Sequence, residues 1–143
     1  AEGLQAAPLR VDVTLAPIEV ALRVEERAFG KTRDQAVLSP AVQQALQRAN
    51  VKVLGPDAHA DMVLTLQADA RPGGQGQGFI TVYVDVVGTV TNGAGESIFT
   101  QTLTRIKGIQ MDLPRATDVA YGKASEEIES NFVPALIRLW HGF

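Results

Sequence analysis

The chain has 143 residues, with 13 Lys plus Arg against 16 Asp plus Glu, no cysteine, 45% apolar residues and 6% aromatics. A chain of this size buries about two-thirds of its unfolded surface and needs no disulfide or metal to hold a core, which excludes disordered and fibrous classes and reads as one globular domain over residues 1–143. A net charge of −3, spread evenly, argues against a nucleic-acid partner, and no apolar run reaches the roughly 20 residues of a membrane-spanning helix.

The chain opens Ala-Glu-Gly-Leu, without an initiator Met, a basic n-region or an apolar h-region. That opening fits a trimmed chain or a mature exported one, with any lipid anchor lying upstream. Leu9, Val11, Val13 and Leu15 then alternate with Arg10, Asp12 and Thr14, the two-residue period of a half-buried strand. After Pro17 the apolar set Ile18, Val20, Leu22 and Val24 falls on even positions, a phase change that a continuous strand cannot make. A bend, a bulge or a new strand is required at Ala16-Pro17, and the proline places these N-terminal strands near a sheet edge.

Residues 26–37 are polar, contain Gly30 and read as a loop. Ser39-Pro40 predicts an N-cap and first helical residue, followed by a helix with Val42, Ala45, Leu46 and Ala49 on one face. Asn50 is suited to a left-handed C-cap before the short strand Val51–Leu54. From Asp61 the pattern is β again, with Met62, Leu64, Leu66 and Ala68 on one face. Pro72–Gly78 is glycine-rich and reads as a flexible hairpin loop. In the next run Ile80, Val82, Val84, Val86 and Val90 oppose Thr81, Tyr83, Asp85 and Thr89, then Asn92-Gly93 marks a turn and 97–107 a further strand. These strands predict an antiparallel meander. Asp112-Leu113-Pro114 opens a long C-terminal helix with Ala116, Ala120, Ala124, Ile128, Phe132, Ala135, Leu136 and Leu139 along one stripe, and Pro134 should bend it or end its first part. The sum is an α+β fold: an antiparallel sheet of about four to six strands with two helices on one face.

Motifs that carry chemistry are few. Gly30-Lys31-Thr32 lacks the upstream glycine of a phosphate loop, whose place is taken by Glu25, and Gly73, Gly74, Gly76 and Gly78 precede a strand where a dinucleotide fingerprint must open a helix. Ser39, Ser97, Ser125 and Ser130 have no histidine and aspartate around them in sequence, and Glu126, Glu127 and Glu129 read as a solvated helix face. Trp140 reads as a core anchor or an interface residue. Asp57, His59 and Asp61 alternate and, if extended, would point three metal-ligating side chains the same way, although a turn beginning Gly-Pro-Asp more often uses aspartate to bond backbone N–H groups.

Over positions 38–143 the layout resembles the accessory domains of bacterial cell-envelope lipoproteins, the CsgG-like, FlgT-like and LpoB-like group. The features that carry this are Ala-Leu-Gln-Arg-Ala-Asn50, Val51-Lys-Val-Leu54, Ala60-Asp61 leading into Met-Val-Leu-Thr-Leu, the turn Asn92-Gly-Ala-Gly-Glu96, Lys107-Gly108, and a final helix with Tyr121-Gly-Lys-Ala124 and Val133-Pro-Ala-Leu136. A departure is the missing lipobox cysteine. The resemblance implies a periplasmic or outer-membrane-associated protein that binds another envelope protein or a second copy of itself, with no catalytic, cofactor or metal residues. The alternative is a small-ligand or metal-binding protein, or an enzyme, built on Asp57, His59 and Asp61. The expected contact surfaces are the N-terminal strand edge over residues 9–25 and the Gly73–Gly78 loop.

Overall fold

The computed structural model describes residues 18–141, so the strand expected over Leu9–Leu15 lies outside the described residues. In chain order the elements are β1 (Glu19–Ala28), β2 (Lys31–Thr32), α1 (Leu38–Arg48), β3 (Lys52–Leu54), β4 (Met62–Gly76), β5 (Phe79–Asn92), β6 (Ser97–Gln110), α2 (Leu113–Glu127), a π-helical turn (Ile128–Phe132) and α3 (Val133–His141). The strands form one six-stranded, mostly antiparallel sheet in the order β2-β1-β4-β5-β6, with β3 also paired to β1. This is the α+β architecture expected from the strand and helix periods.

The meander β4–β5–β6 follows from its turns. Asn92 closes the β5–β6 connection, its Oδ1 accepting from the N–H groups of Ala94 and Glu96 at 2.9 and 3.0 Å. Period-two alternation then sorts the faces: Leu64, Leu66, Ala68 and Ala70 of β4 and Val82, Val84, Val86 and Val90 of β5 are buried in the core beneath the helices. Two glycines bring the C-terminal helix close to that surface. A Cβ on Gly108 would overlap the Ala116 carbonyl, and one on Gly88 would overlap the Phe132 ring.

The β1 strand departs from expectation. It runs parallel to β4 over Val20–Ala28 and parallel to β3 over Glu19–Ala21, because α1 is a crossover that returns the chain in the same direction. β4 lines one flank of β1, while the other is covered by β3 at Glu19–Ala21 and by β2 at Arg27–Ala28, and the consecutive residues Val20, Ala21 and Leu22 are all buried. The edge inferred from Pro17 is thus closed by β3 at Glu19–Ala21, and among the described residues it stays unpaired on that flank only along residues 22–25.

Three local assignments also change. The segment read as a loop continues β1 to Ala28 and turns at Phe29 and Gly30, both with positive φ, into the two residues of β2. The glycine-rich stretch is not a loop but the end of β4, with a register shift between Pro72 and Gly74 and a two-residue turn at Gln77 and Gly78. Ser39 does not cap α1. The helix begins two residues earlier than expected, at Leu38, and the carboxylate of buried Glu26 reaches across from β1 to accept from the Val37 N–H at 2.9 and 3.0 Å and the Leu38 N–H at 3.1 Å. A side chain on a neighbouring strand thus supplies the charge and the acceptors that the first helical turn needs.

The far end of α1 closes as expected. Asn50 has φ 65, its N–H bonds the Gln47 carbonyl, and the Val51 N–H bonds the Leu46 carbonyl, the paired bonds of a Schellman motif. Asp112 caps α2, accepting from the Arg115 N–H at 2.8 Å. The effect of Pro134 appears one turn upstream: the Val133 N–H bonds the Ile128 carbonyl, five residues back, so the helix widens where the proline would collide with a regular turn.

Candidate functional site

The open edge of the sheet is β6. It ends the strand order and is 14 residues long, and no described strand pairs with its outer side. A row of unpaired N–H and C=O groups on such an edge is a template for another strand. Alongside it run α2 and the π-helical turn, and the groove between strand and helix has a volume of about 580 Å³. Thr102 to Lys107 form its strand wall, while Lys123, Glu126, Glu127 and Ser130 form its helix wall. Leu103 and Ile106 are half-buried and pack on the core from this strand, so the groove has an apolar base between polar rims.

A bulge shapes the middle of the edge. Between the pairs Val84↔Ile106 and Val86↔Leu103, Asp85 of β5 faces both Thr104 and Arg105 of β6, and Arg105 adopts φ 57. Asp85 holds the bulge, its Oδ1 accepting from the Arg105 N–H at 2.9 Å while its Oδ2 receives the Arg71 Nε–H at 2.7 Å. Partial burial works against the Asp85 charge, but the bond from Arg71 and that from the Arg105 backbone outweigh it and hold the carboxyl below the ordinary aspartate range. The same hydrogen bond raises the Arg71 guanidinium above its usual value.

Arg71 and Arg105 both stack on the Tyr83 ring, at 5.1 and 5.2 Å from its centre. The ring in turn lies where a Cβ on Gly73 would be, 2.7 Å from its nearest atom. The glycine at the β4 bulge, the tyrosine, the two arginines and the aspartate therefore form one cluster on the sheet face opposite the helices, next to the groove. Sequence reading placed Tyr83 and Asp85 on the polar face of β5 but could not pair them with Arg71 and Arg105, because that pairing depends on two bulges.

The residues singled out from sequence are dispersed. Asp57 and His59 lie in the connection from β3 to β4, and Asp61 accepts from the Glu19 N–H at 3.3 Å, tying that connection to β1. Among the described residues no three His, Asp or Glu side chains are placed to hold a metal ion. Glu126 and Glu127 line the groove, whereas Glu129 pairs with Arg48 at 3.9 Å. Ser130 donates its hydroxyl to the Glu126 carbonyl, and Trp140 is buried in the core. A second polar contact was not foreseen: buried Tyr121 donates its hydroxyl to the Arg27 carbonyl at 2.5 Å, and the Arg33 guanidinium lies 4.1 Å over its ring and bonds Asp118 at 2.9 Å. Burial raises the Tyr121 phenol well above the ordinary tyrosine value.

No family model and no curated protein matches the sequence. Solved structures do match the fold. A minor lipoprotein from Acinetobacter baumannii superposes with a TM-score of 0.59 at 14% identity, over 85% of this chain and 95% of that one. A dodecamer of PelC from Paraburkholderia phytofirmans superposes at 0.50 and 17% identity, over 81% and 88%. A protein assigned as a lipoprotein from Caulobacter crescentus does so at 0.50 and 11% identity, over 83% and 90%. The chain therefore has a fold that occurs in bacterial lipoproteins. Among the described residues no helix is long and apolar enough to cross a membrane.

Proposed function

We propose that this chain is a non-catalytic cell-envelope protein of the lipoprotein type, periplasmic or outer-membrane associated, that assembles with further copies of itself by strand addition at β6. The observation that carries this reading is the long outer edge of β6 with a helix beside it. An extended segment laid there gains main-chain hydrogen bonds from the strand and side-chain contacts from the groove, a mode of recognition that needs no catalytic group. The fold shared with lipoproteins supports the envelope location, and the dodecameric state of PelC supports self-association on this fold. Within the envelope proteins, the CsgG-like, FlgT-like and LpoB-like group remains the one whose layout the sequence resembles.

The test uses the ladder itself. In the regular stretch where Gln101 pairs with Gly88 and Thr102 with Val87, successive residues of β6 point their N–H groups alternately into and out of the sheet. Proline at the outward one removes an edge donor without breaking the β5–β6 ladder. Sedimentation of the full chain should show assembly that is lost in whichever of Gln101→Pro and Thr102→Pro retains the parent's circular dichroism. A monomeric parent up to about 100 μM, or an assembly indifferent to that proline, would overturn the reading.

A further inference from the structure

Resting on that reading, we infer that the strand added to β6 is the segment Leu9–Leu15 of a second copy of this chain. The segment has the alternating period of a strand, and Pro17 together with the phase change at Ala16-Pro17 prevents it from continuing β1. It therefore needs a separate partner edge.

The sheet of its own molecule offers little room for it. Chain order returns Ala16-Pro17 to Ile18, whose carbonyl is held by the Lys52 N–H at 2.8 Å at the junction of β1 and β3. Along β1, β4 occupies one side; on the other, β3 at Glu19–Ala21 and β2 at Arg27–Ala28 leave only the four residues 22–25 unpaired, too short a stretch for the seven residues of the segment. The outer side of β3 offers only the three residues Lys52–Leu54. The open edge of β6 lies beyond β4 and β5, and a strand added there would sit four strand spacings from β1, roughly 19 Å away. Two connecting residues span at most about 7 Å. The segment cannot reach the β6 edge of its own molecule.

The β6 edge of a second copy fits in length and in chemistry. Leu9–Leu15 extends over roughly 23 Å, and the groove wall Thr102–Lys107 over roughly 20 Å. With Leu9, Val11, Val13 and Leu15 turned to the helix side, their apolar groups continue the half-buried row of Leu103 and Ile106. Asp12 then falls on the opposite face, the one that carries Arg105 and Lys107. Donor and acceptor are at different places on the sheet, so the contact is head-to-tail, and repeated addition closes into a ring or runs on as a filament.

The chain has no cysteine, so introduced pairs report alone. Asp12→Cys and either Thr102→Cys or Lys107→Cys, made in separate full-length chains, should form a mixed disulfide dimer when dissociated, mixed, reassociated and oxidised. Val11→Pro with Val13→Pro should weaken assembly at least 100-fold while leaving the unfolding midpoint unchanged at a dilution where the parent and the variant are both monomeric. A disulfide that forms within one chain carrying both cysteines at nanomolar concentration overturns the inference. So does assembly that withstands the double proline variant. If that assembly is still lost on the β6 proline, strand addition at β6 stands and its occupant is another segment; if both variants assemble normally, both readings fall.

Discussion

Glu26 gives the sharpest test of how this sequence builds its fold. Its carboxylate accepts from two N–H groups at the start of α1, one belonging to Leu38, which is fully buried. In Glu26→Ala no water reaches the donor of Leu38, and a buried donor left unpaired costs about 1–3 kcal/mol. Adding the loss of negative charge at the helix N-terminus, the expected destabilisation is roughly 2–4 kcal/mol. For a chain of this length that is a fall in Tm of roughly 6–20 °C. Glu26→Gln keeps one acceptor oxygen and should cost about half as much. Ser39→Ala, the substitution that a local cap would make expensive, should stay within about 0.5 kcal/mol of the parent. Urea and thermal unfolding followed by circular dichroism measure all three. If Glu26→Ala is within about 0.5 kcal/mol of the parent, or Ser39→Ala is the costly change, the strand-to-helix cap is wrong.

Four further outcomes are expected. Phe132→Ala, which empties the site beside Gly88 and Phe99, should lower stability by about 3–5 kcal/mol in urea titration. Gly108→Ala should cost roughly 1–3 kcal/mol by pushing α2 off β6, and the fluorescence of Trp140, the one tryptophan of the chain, should report the unfolding shift. Because the folded Asp85 carboxyl titrates below its unfolded value, its contribution is present above pH ~4 and is lost as pH falls through the lowered value; Asp85→Asn should therefore lose less stability than the parent between pH 5 and pH 3. Tyr121 titrates in the opposite sense, its contribution being full below pH ~10 and lost as pH rises through the raised value, and ultraviolet titration of Tyr83→Phe should find the remaining phenol ionising above that point.

The readable part of this fold is the part governed by short-range period and turn chemistry. The alternation of β4 and β5, the Asn92 turn, the Asn50 cap and the Asp112 helix start all depend on residues a few positions apart. The misread parts depend on contacts far along the chain. Pro17 argued for an edge along the N-terminal strands, but how much of β1 stays open is decided by β3 and β4, more than thirty residues later in the sequence. Ser39 was the best local cap, yet Glu26 reaches the helix start first because β1 passes beneath it. The glycines at 73–78 suggested a loop because glycine disfavours strands, whereas here one of them makes room for the Tyr83 ring and the turn itself takes only Gln77 and Gly78. The groove was invisible for the same reason: nothing within β6 states that no later strand will cover it.

The π-helical turn has a consequence for how the C-terminal helix addresses its surroundings. Ala116, Ala120, Ala124, Ile128, Phe132, Leu136 and Trp140 are all buried, a strict spacing of four. On an α-helix each such step advances about 40°, so six steps would carry the buried line through about 240°, well away from the sheet. The extra residue taken up between Ile128 and Val133 turns it back by about 100°. What remains is a slow screw that faces β5 and β6 along α2 and then α1 along α3, so the chain exchanges one packing partner for another without leaving the helix. Deleting one residue from Ile128–Phe132 would restore an unbroken α-helix and swing Leu136 and Trp140 away from the surface they now meet.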